Sequence, residues 1–223
     1  MAIKDNLREI KSNVPAHVTL VAVSKTWPIE CLMEAYDAGQ RVFGENKIQE
    51  MADKWQQLPK DIQWHMIGHV QTNKVKAMAG FVELIHGIDS LKLLAEVDKH
   101  AAKNQRIINC LFQIHIAREE NKFGLDENEL ATILSSQSFA KMENIMITGL
   151  MGMASYTDDT IQIKKEFTYL KSLFEKFPPS NNYQPKTLSM GMSGDYPLAI
   201  DCGSNMVRIG SSIFGNRSTA IIN

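Results

Sequence analysis

Short runs of β-branched residues alternate along the chain with segments whose apolar positions recur every three or four residues. The first run, 18–24, is almost wholly apolar, as expected of a strand covered on both faces. Pro28 then opens a stretch in which Ile29, Leu32, Met33 and Tyr36 share one helical face, and Gly39 closes it. The alternation continues, with strands predicted at 41–43, 62–67, 82–86, 107–116, 145–150, 187–190 and 206–209. Helical segments are predicted around 46–57 and 72–79, and another is marked by Leu91, Leu94 and Ala95. A further helix is opened by the Asp126-x-x-Glu129 pair, and a last one is carried by Ile163, Phe167, Leu170, Phe174 and Phe177. Eight strands with helices between them imply a parallel sheet closed into a single (β/α)8 TIM-type barrel with a helix before its first strand. A doubly wound open sheet is the alternative.

Composition narrows the picture without changing it. The 223 residues carry no Pro/Gly-rich linker or composition break, so one domain spanning 1–223 is expected; the most loop-like stretch is 178–186. A net charge of -1 gives no electrostatic footprint for nucleic acid. Cys31, Cys110 and Cys202 form neither a disulfide framework nor a zinc motif and suit a reducing compartment. With no apolar segment at the N-terminus and no run long enough for a membrane helix, the expected address is the cytoplasm.

In such a barrel, chemistry sits where strands end. Thr19, Val21, Val23 and Lys25 share one side of the first strand, which puts Lys25 at the barrel mouth if the valines fill the interior. A partly desolvated ammonium there has a lowered pKa and can act as an amine toward an aldehyde; a plain surface lysine at a strand exit is the other reading. The loops after the seventh and eighth strands carry Ser189, Met192, Ser193, Gly210 and Ser211, in the places where barrels of this kind bind phosphate, although Gly and Ser also serve ordinary turns. Arg208 shares parity with Met206 and points inward. It could face a pyridine nitrogen, clamp a phosphate or join an ion pair. His65 and His69 have helical metal spacing but lie on strand and turn with no third ligand, so His65 is read as a pocket residue. Met66, Met151, Met153, Met190 and Met192 read as core filler.

Taken together, these segments resemble one family. Val21-Ala-Val-Ser-Lys25-Thr26, Phe43-Gly-Glu-Asn46 with Gln49-Glu50, and Trp64-His65-Met-Ile-Gly68-His69-Val-Gln71-Thr-Asn73-Lys74 are similar to motifs of the pyridoxal phosphate homeostasis (YggS/PROSC-type) proteins. So are Gly149-Leu-Met151, Ser189-Met-Gly-Met-Ser193-Gly-Asp195 and Val207-Arg208-Ile-Gly210. The resemblance runs from about residue 18 to 215. It implies the barrel of the alanine-racemase-like proteins, with pyridoxal 5′-phosphate (PLP) as a Schiff base on Lys25. It further implies Asn46 and His65 beside the ring, Ser189, Met192, Ser193, Gly210 and Ser211 around the phosphate, and Arg208 facing the pyridine nitrogen. The departures from the family pattern are a short N-terminal helix, bulky residues at 119–124, and Asn205 where a hydroxyl residue is usual.

The implied role is PLP homeostasis: holding and delivering the cofactor, with apo PLP-dependent enzymes as recipients and no established turnover. A PLP-dependent racemase is the alternative. Racemisation needs an acid/base group on each face of the ring, and related racemases draw the second from an added β-domain. The chain ends just after the eighth strand, which favours the binding role and a monomer. A Schiff-base aldolase acting on a phosphorylated sugar is a third reading.

Overall fold

The computed structural model describes residues 2–119 and 123–215. Helix α1 (Ile3–Asn13) is anchored by buried Leu7 and Ile10, and Asn6 Nδ2 donates to Ile213 O near the far end of the chain. The strands then follow in order: β1 (Thr19–Val23), β2 (Val42–Glu45), β3 (Gln63–Met66), β4 (Leu84–Ile88), β5 (Ile108–Ile114), β6 (Ile145–Gly152), β7 (Tyr183–Ser189) and β8 (Met206–Ile209). Each pairs in parallel with the next, and β8 returns to β1 with Leu20 opposite Val207 and Val21 opposite Arg208. The sheet is therefore the closed barrel and not the open doubly wound alternative, and closure leaves no strand edge unpaired.

The outer layer is made of α2 (Ile29–Asp37), α3 (Ile48–Gln57), a 3-10 turn at Thr72–Ala77, α4 (Leu91–Lys103), α5 (Glu127–Ser135), α6 (Gln137–Ala140) and α7 (Thr160–Lys176). Two short helices, α8 (Tyr196–Asp201) and α9 (Ser211–Phe214), flank β8. The Asp126/Glu129 pair forms a reciprocal capping box on α5, the kind of cap worth about 1 kcal/mol. Ile163, Phe167 and Leu170 of α7 are buried against the barrel, whereas Phe177 stands one residue past the end of that helix in extended backbone.

The loop-like reading of 178–186 is corrected from Tyr183 onward. Tyr183 is fully buried opposite Ile147, and β7 runs from it through Pro185. The register of β6 with β7 shifts between Ile147 and Gly149, an irregular stretch of the kind that tolerates a proline lacking its N–H. Gly149 makes the shift possible: its φ is +152°, and a Cβ there would lie 1.8 Å from Thr187 O. Asn205 steadies the same stretch, accepting from Leu188 N–H and donating to Lys186 O. Residues 120–122 of the bulky segment noted above lie outside the described residues.

Two apolar regions hold the barrel. One fills the space between strands and helices. The other, Val21, Leu84, Leu111, Met151 and Met206, fills the inside. Gly44 faces inward as well; its missing side chain is replaced by Val21, whose Cγ1 would lie 2.9 Å from an added Cβ.

Candidate binding site

Above the apolar plug, at the C-terminal ends of the strands, lies a pocket of about 600 Å³. Its wall includes Lys25, Asn46, Met192, Ser193, Arg208, Gly210 and Ser211, all singled out from the sequence. Val23 lines it too, so the parity argument holds: Val21 fills the interior, Val23 begins the pocket, and Lys25 stands at its rim. Trp27, Ile67, Met153, Gly194 and Gly215 complete the wall and were not anticipated. Met66, Met151 and Met190 are buried, as core filler should be, but Met153 and Met192 belong to the pocket.

The loops after β7 and β8 are tied to each other. Gly210 N–H donates to Ser193 Oγ at 3.2 Å, and Arg208 N–H donates to Gly191 O at 3.0 Å. Gly191 has φ +96°, and a Cβ there would strike that of Ala199 at 2.6 Å, so a side chain at 191 would force the two loops apart. Asp195 Oδ1 accepts from Met192 N–H, tightening the turn; burial raises the Asp195 carboxyl pKa while that hydrogen bond and Arg208 pull it down. Just beyond, α9 begins at Ser211, and Ile213 and Phe214 N–H both donate to Gly210 O at 2.9 Å.

His65 and Ser189 are not in the pocket wall. Both are buried beneath it, His65 on β3 and Ser189 as the last residue of β7. Arg208 Nη1 donates to Ser189 O (2.9 Å) and Ser189 Oγ (2.6 Å), and Nη2 donates to Gly152 O (3.1 Å). Ser189 Oγ is 3.1 Å from His86 Nδ1, and His86 Nε2 is 3.1 Å from His65 Nδ1. An arginine only donates, so Ser189 Oγ accepts from it; the serine proton then serves His86, and the Nε2–H of His86 serves His65. Both rings are neutral in this arrangement. Burial pushes His65 down to about 3, and burial, His65 and Arg208 together push His86 well below its ordinary value. Burial also lowers Arg208 to about 10, partly offset by Asp195, which leaves the guanidinium charged at neutral pH.

His86 was missed from the sequence, although the strand reading at 82–86 ended on it and its inward parity with Leu84 was there to be counted. His69 parts from His65: it lies 3.3 Å from Asp89 and stacks on Phe123. No helix among the described residues is long and apolar enough to cross a membrane.

The chain has clear counterparts among known proteins. The family model described as alanine racemase, N-terminal domain, matches residues 1–218. The pyridoxal phosphate homeostasis protein of Pasteurella multocida (strain Pm70) is 36% identical over 231 residues, covering 97% of this chain and 98% of the relative. The protein of that name from Schizosaccharomyces pombe is 40% identical over 208 residues, covering 91% and 86%. Among solved structures, PipY of Synechococcus elongatus PCC7942 with PLP bound aligns with a TM-score of 0.87 at 31% identity, covering 96% of this chain and all of the other. An alanine racemase from Bartonella henselae shares the fold, with a TM-score of 0.71 at 20% identity, and this chain covers 61% of its length.

Proposed function

The chain belongs to the alanine racemase N-terminal-domain family, and on that premise we propose that it binds PLP in the barrel-mouth pocket and serves intracellular PLP homeostasis. One observation carries the reading: a lysine amine and a cradle of hydroxyls, glycines and a buried guanidinium line the same pocket from opposite ends of the sequence. These groups suit an aldehyde with an anionic tail. The terminal nitrogens of Arg208 donate to the neutral oxygens of Ser189 and Gly152, so positive charge remains available to a ligand beside them. The cofactor supplies a reactive aldehyde on an electron-poor ring, held as a Schiff base to Lys25.

In this reading Ser193, Gly210 and Ser211 hold the phosphate, with Met192 packed beside them. Asn46 borders the ring and Arg208 meets the pyridine nitrogen, keeping it unprotonated because an arginine can only donate. His65 and Ser189 act from beneath, Ser189 by orienting Arg208 and His65 by closing the neutral histidine pair. The protein is a single-domain cytoplasmic monomer that hands PLP to apo PLP-dependent enzymes. The homeostasis reading is favoured over a racemase by the curated relatives: the Pasteurella pyridoxal phosphate homeostasis protein is 36% identical and matched over 98% of its length.

Purified protein loaded with PLP should show a visible band that borohydride bleaches, and peptide mapping should place the pyridoxyl group on Lys25. Loaded protein should also restore the activity of an apo transaminase. A missing band at saturating PLP, or an adduct on another lysine, would sink the reading.

A further inference from the structure

Lys25 occupies the corner of a strained turn, and the groups holding that turn come from one buried cluster. Trp27 N–H donates to Ser24 O at 3.1 Å, closing a four-residue turn with Lys25 and Thr26 in the middle. Thr26 has φ +65°, at the turn position that usually takes Gly or Asn because a β-branched residue is crowded there. Such a conformation persists only where its surroundings over-determine it.

Strand β2 and helix α3 supply those surroundings. Lys54 Nζ, buried on α3, donates to Ser24 O (2.8 Å), Glu45 Oε1 (2.8 Å) and Glu50 Oε1 (2.7 Å). Glu45 Oε1 also accepts from Ser24 Oγ at 2.6 Å, and Glu50 Oε1 accepts from Thr26 N–H at 2.5 Å. The residues before and after Lys25 are therefore tied to the same ammonium and its two carboxylates.

We propose that Glu45, Glu50 and Lys54 are positioning residues, a buried ion-pair clamp that sets the backbone of Lys25 so that its amine meets an aldehyde in the pocket. The inference rests on the reading that Lys25 bonds covalently to PLP. Stability is a poor explanation for the cluster. Buried ions pay a desolvation penalty that apolar side chains of similar volume avoid. That penalty is visible here: burial raises the Glu45 carboxyl pKa against the pull of Lys54, and Glu45 Oε2 has no hydrogen-bond partner among the described residues. What charged groups provide and apolar ones cannot is directed hydrogen bonding to backbone beyond the end of the sheet ladder. The bonds to Ser24 O and Thr26 N–H fall on either side of Lys25, whose side chain lines the pocket.

The test titrates PLP into the wild type, Glu50→Ala, Glu50→Gln and Lys54→Met, with circular dichroism confirming the fold of each. It reads the affinity, the share of bound PLP that borohydride fixes on Lys25, and amide hydrogen exchange at Thr26. Glu50→Ala and Lys54→Met should bind PLP about tenfold more weakly, as expected when a reacting group is displaced by a fraction of an ångström, and fix a smaller share of it. Thr26 exchange should quicken in both while the β1 amides keep their protection. Glu50→Gln retains an oxygen for Thr26 N–H and should stay near the wild type, a rescue that mere loss of stability would not produce. Unchanged affinity and an unchanged fixed share in Glu50→Ala and Lys54→Met would overturn the clamp. Should Lys54→Met fail to fold, Glu50→Ala decides alone, since the Glu50 side chain is partly exposed. A wild type that fixes no PLP on Lys25 overturns the parent reading, and this inference with it.

Discussion

Val21, Leu84, Leu111, Met151 and Met206 plug the barrel at one level. Two residues further along the chain from each stand Val23, His86, Gln113, Met153 (just past the end of β6) and Arg208. Both levels face inward and both are largely enclosed, yet one is wholly apolar and the other mostly polar. At the lower level apolar burial suffices, and any cavity would be costly. At the upper level each buried polar side chain carries a named hydrogen bond: Arg208 to Ser189 and Gly152, His86 to Ser189 and His65, Gln113 to Phe123 O. Buried polar groups are tolerated when so paired. The contrast sets an apolar layer and a mostly polar layer one pleat repeat apart, and Val23, Met153 and Arg208 of the second line the pocket.

The contrast can be broken from either side. The largest effect is expected at the rim: Lys25→Ala should abolish the borohydride-fixed adduct while the melting temperature stays close to wild type. Retention of covalent PLP at wild-type stoichiometry would remove Lys25 from its role. In the plug, Leu111→Ala should cost about 2–5 kcal/mol in urea unfolding with little change in the PLP affinity of the folded fraction. A large affinity loss there would show that the levels are not separable.

Acid should act through the polar level. His65 takes up a proton near pH 6.5 when unfolded but only near 3 when folded, so the unfolded state binds more protons between those values. Stability present above pH 6.5 is therefore lost progressively as pH falls toward 3. His65→Asn should flatten that part of the melting-temperature profile, and an unchanged slope would assign the acid sensitivity elsewhere. The smallest effect concerns Arg208→Met, which exchanges a buried cation for an apolar side chain of similar length. Ser189 O, Ser189 Oγ and Gly152 O lose that donor, so stability should fall by about 1–3 kcal/mol, while PLP affinity falls about tenfold, the worth of one charge-assisted hydrogen bond. Isothermal titration with PLP reads the difference.

Much of this was legible in the chain because period-2 parity is local. Counting from Val21 placed Lys25 at the mouth, and counting from Met206 turned Arg208 inward, both into the pocket wall. Parity says which way a side chain faces but not how deep it lies, so His65 and Ser189 were read as lining residues and turned out to lie beneath. The strand containing Pro185 was hidden because its register shift depends on Gly149, far away in sequence. The Glu45–Glu50–Lys54 cluster escaped for the same reason: α3 spacing relates Glu50 to Lys54, but only the fold brings Ser24 and Thr26 to them.

The seam between β8 and β1 has a consequence for biosynthesis. Lys25 leaves the ribosome well before Arg208, and the pairing of the first strand with the eighth is what brings their loops to one mouth. A nascent chain halted before β8 would display the amine without its anion cradle. Cofactor capture would then wait for the strand that closes the barrel, and ribosome-bound chains truncated before 206 should leave added PLP unbound where chains that carry β8 take it up.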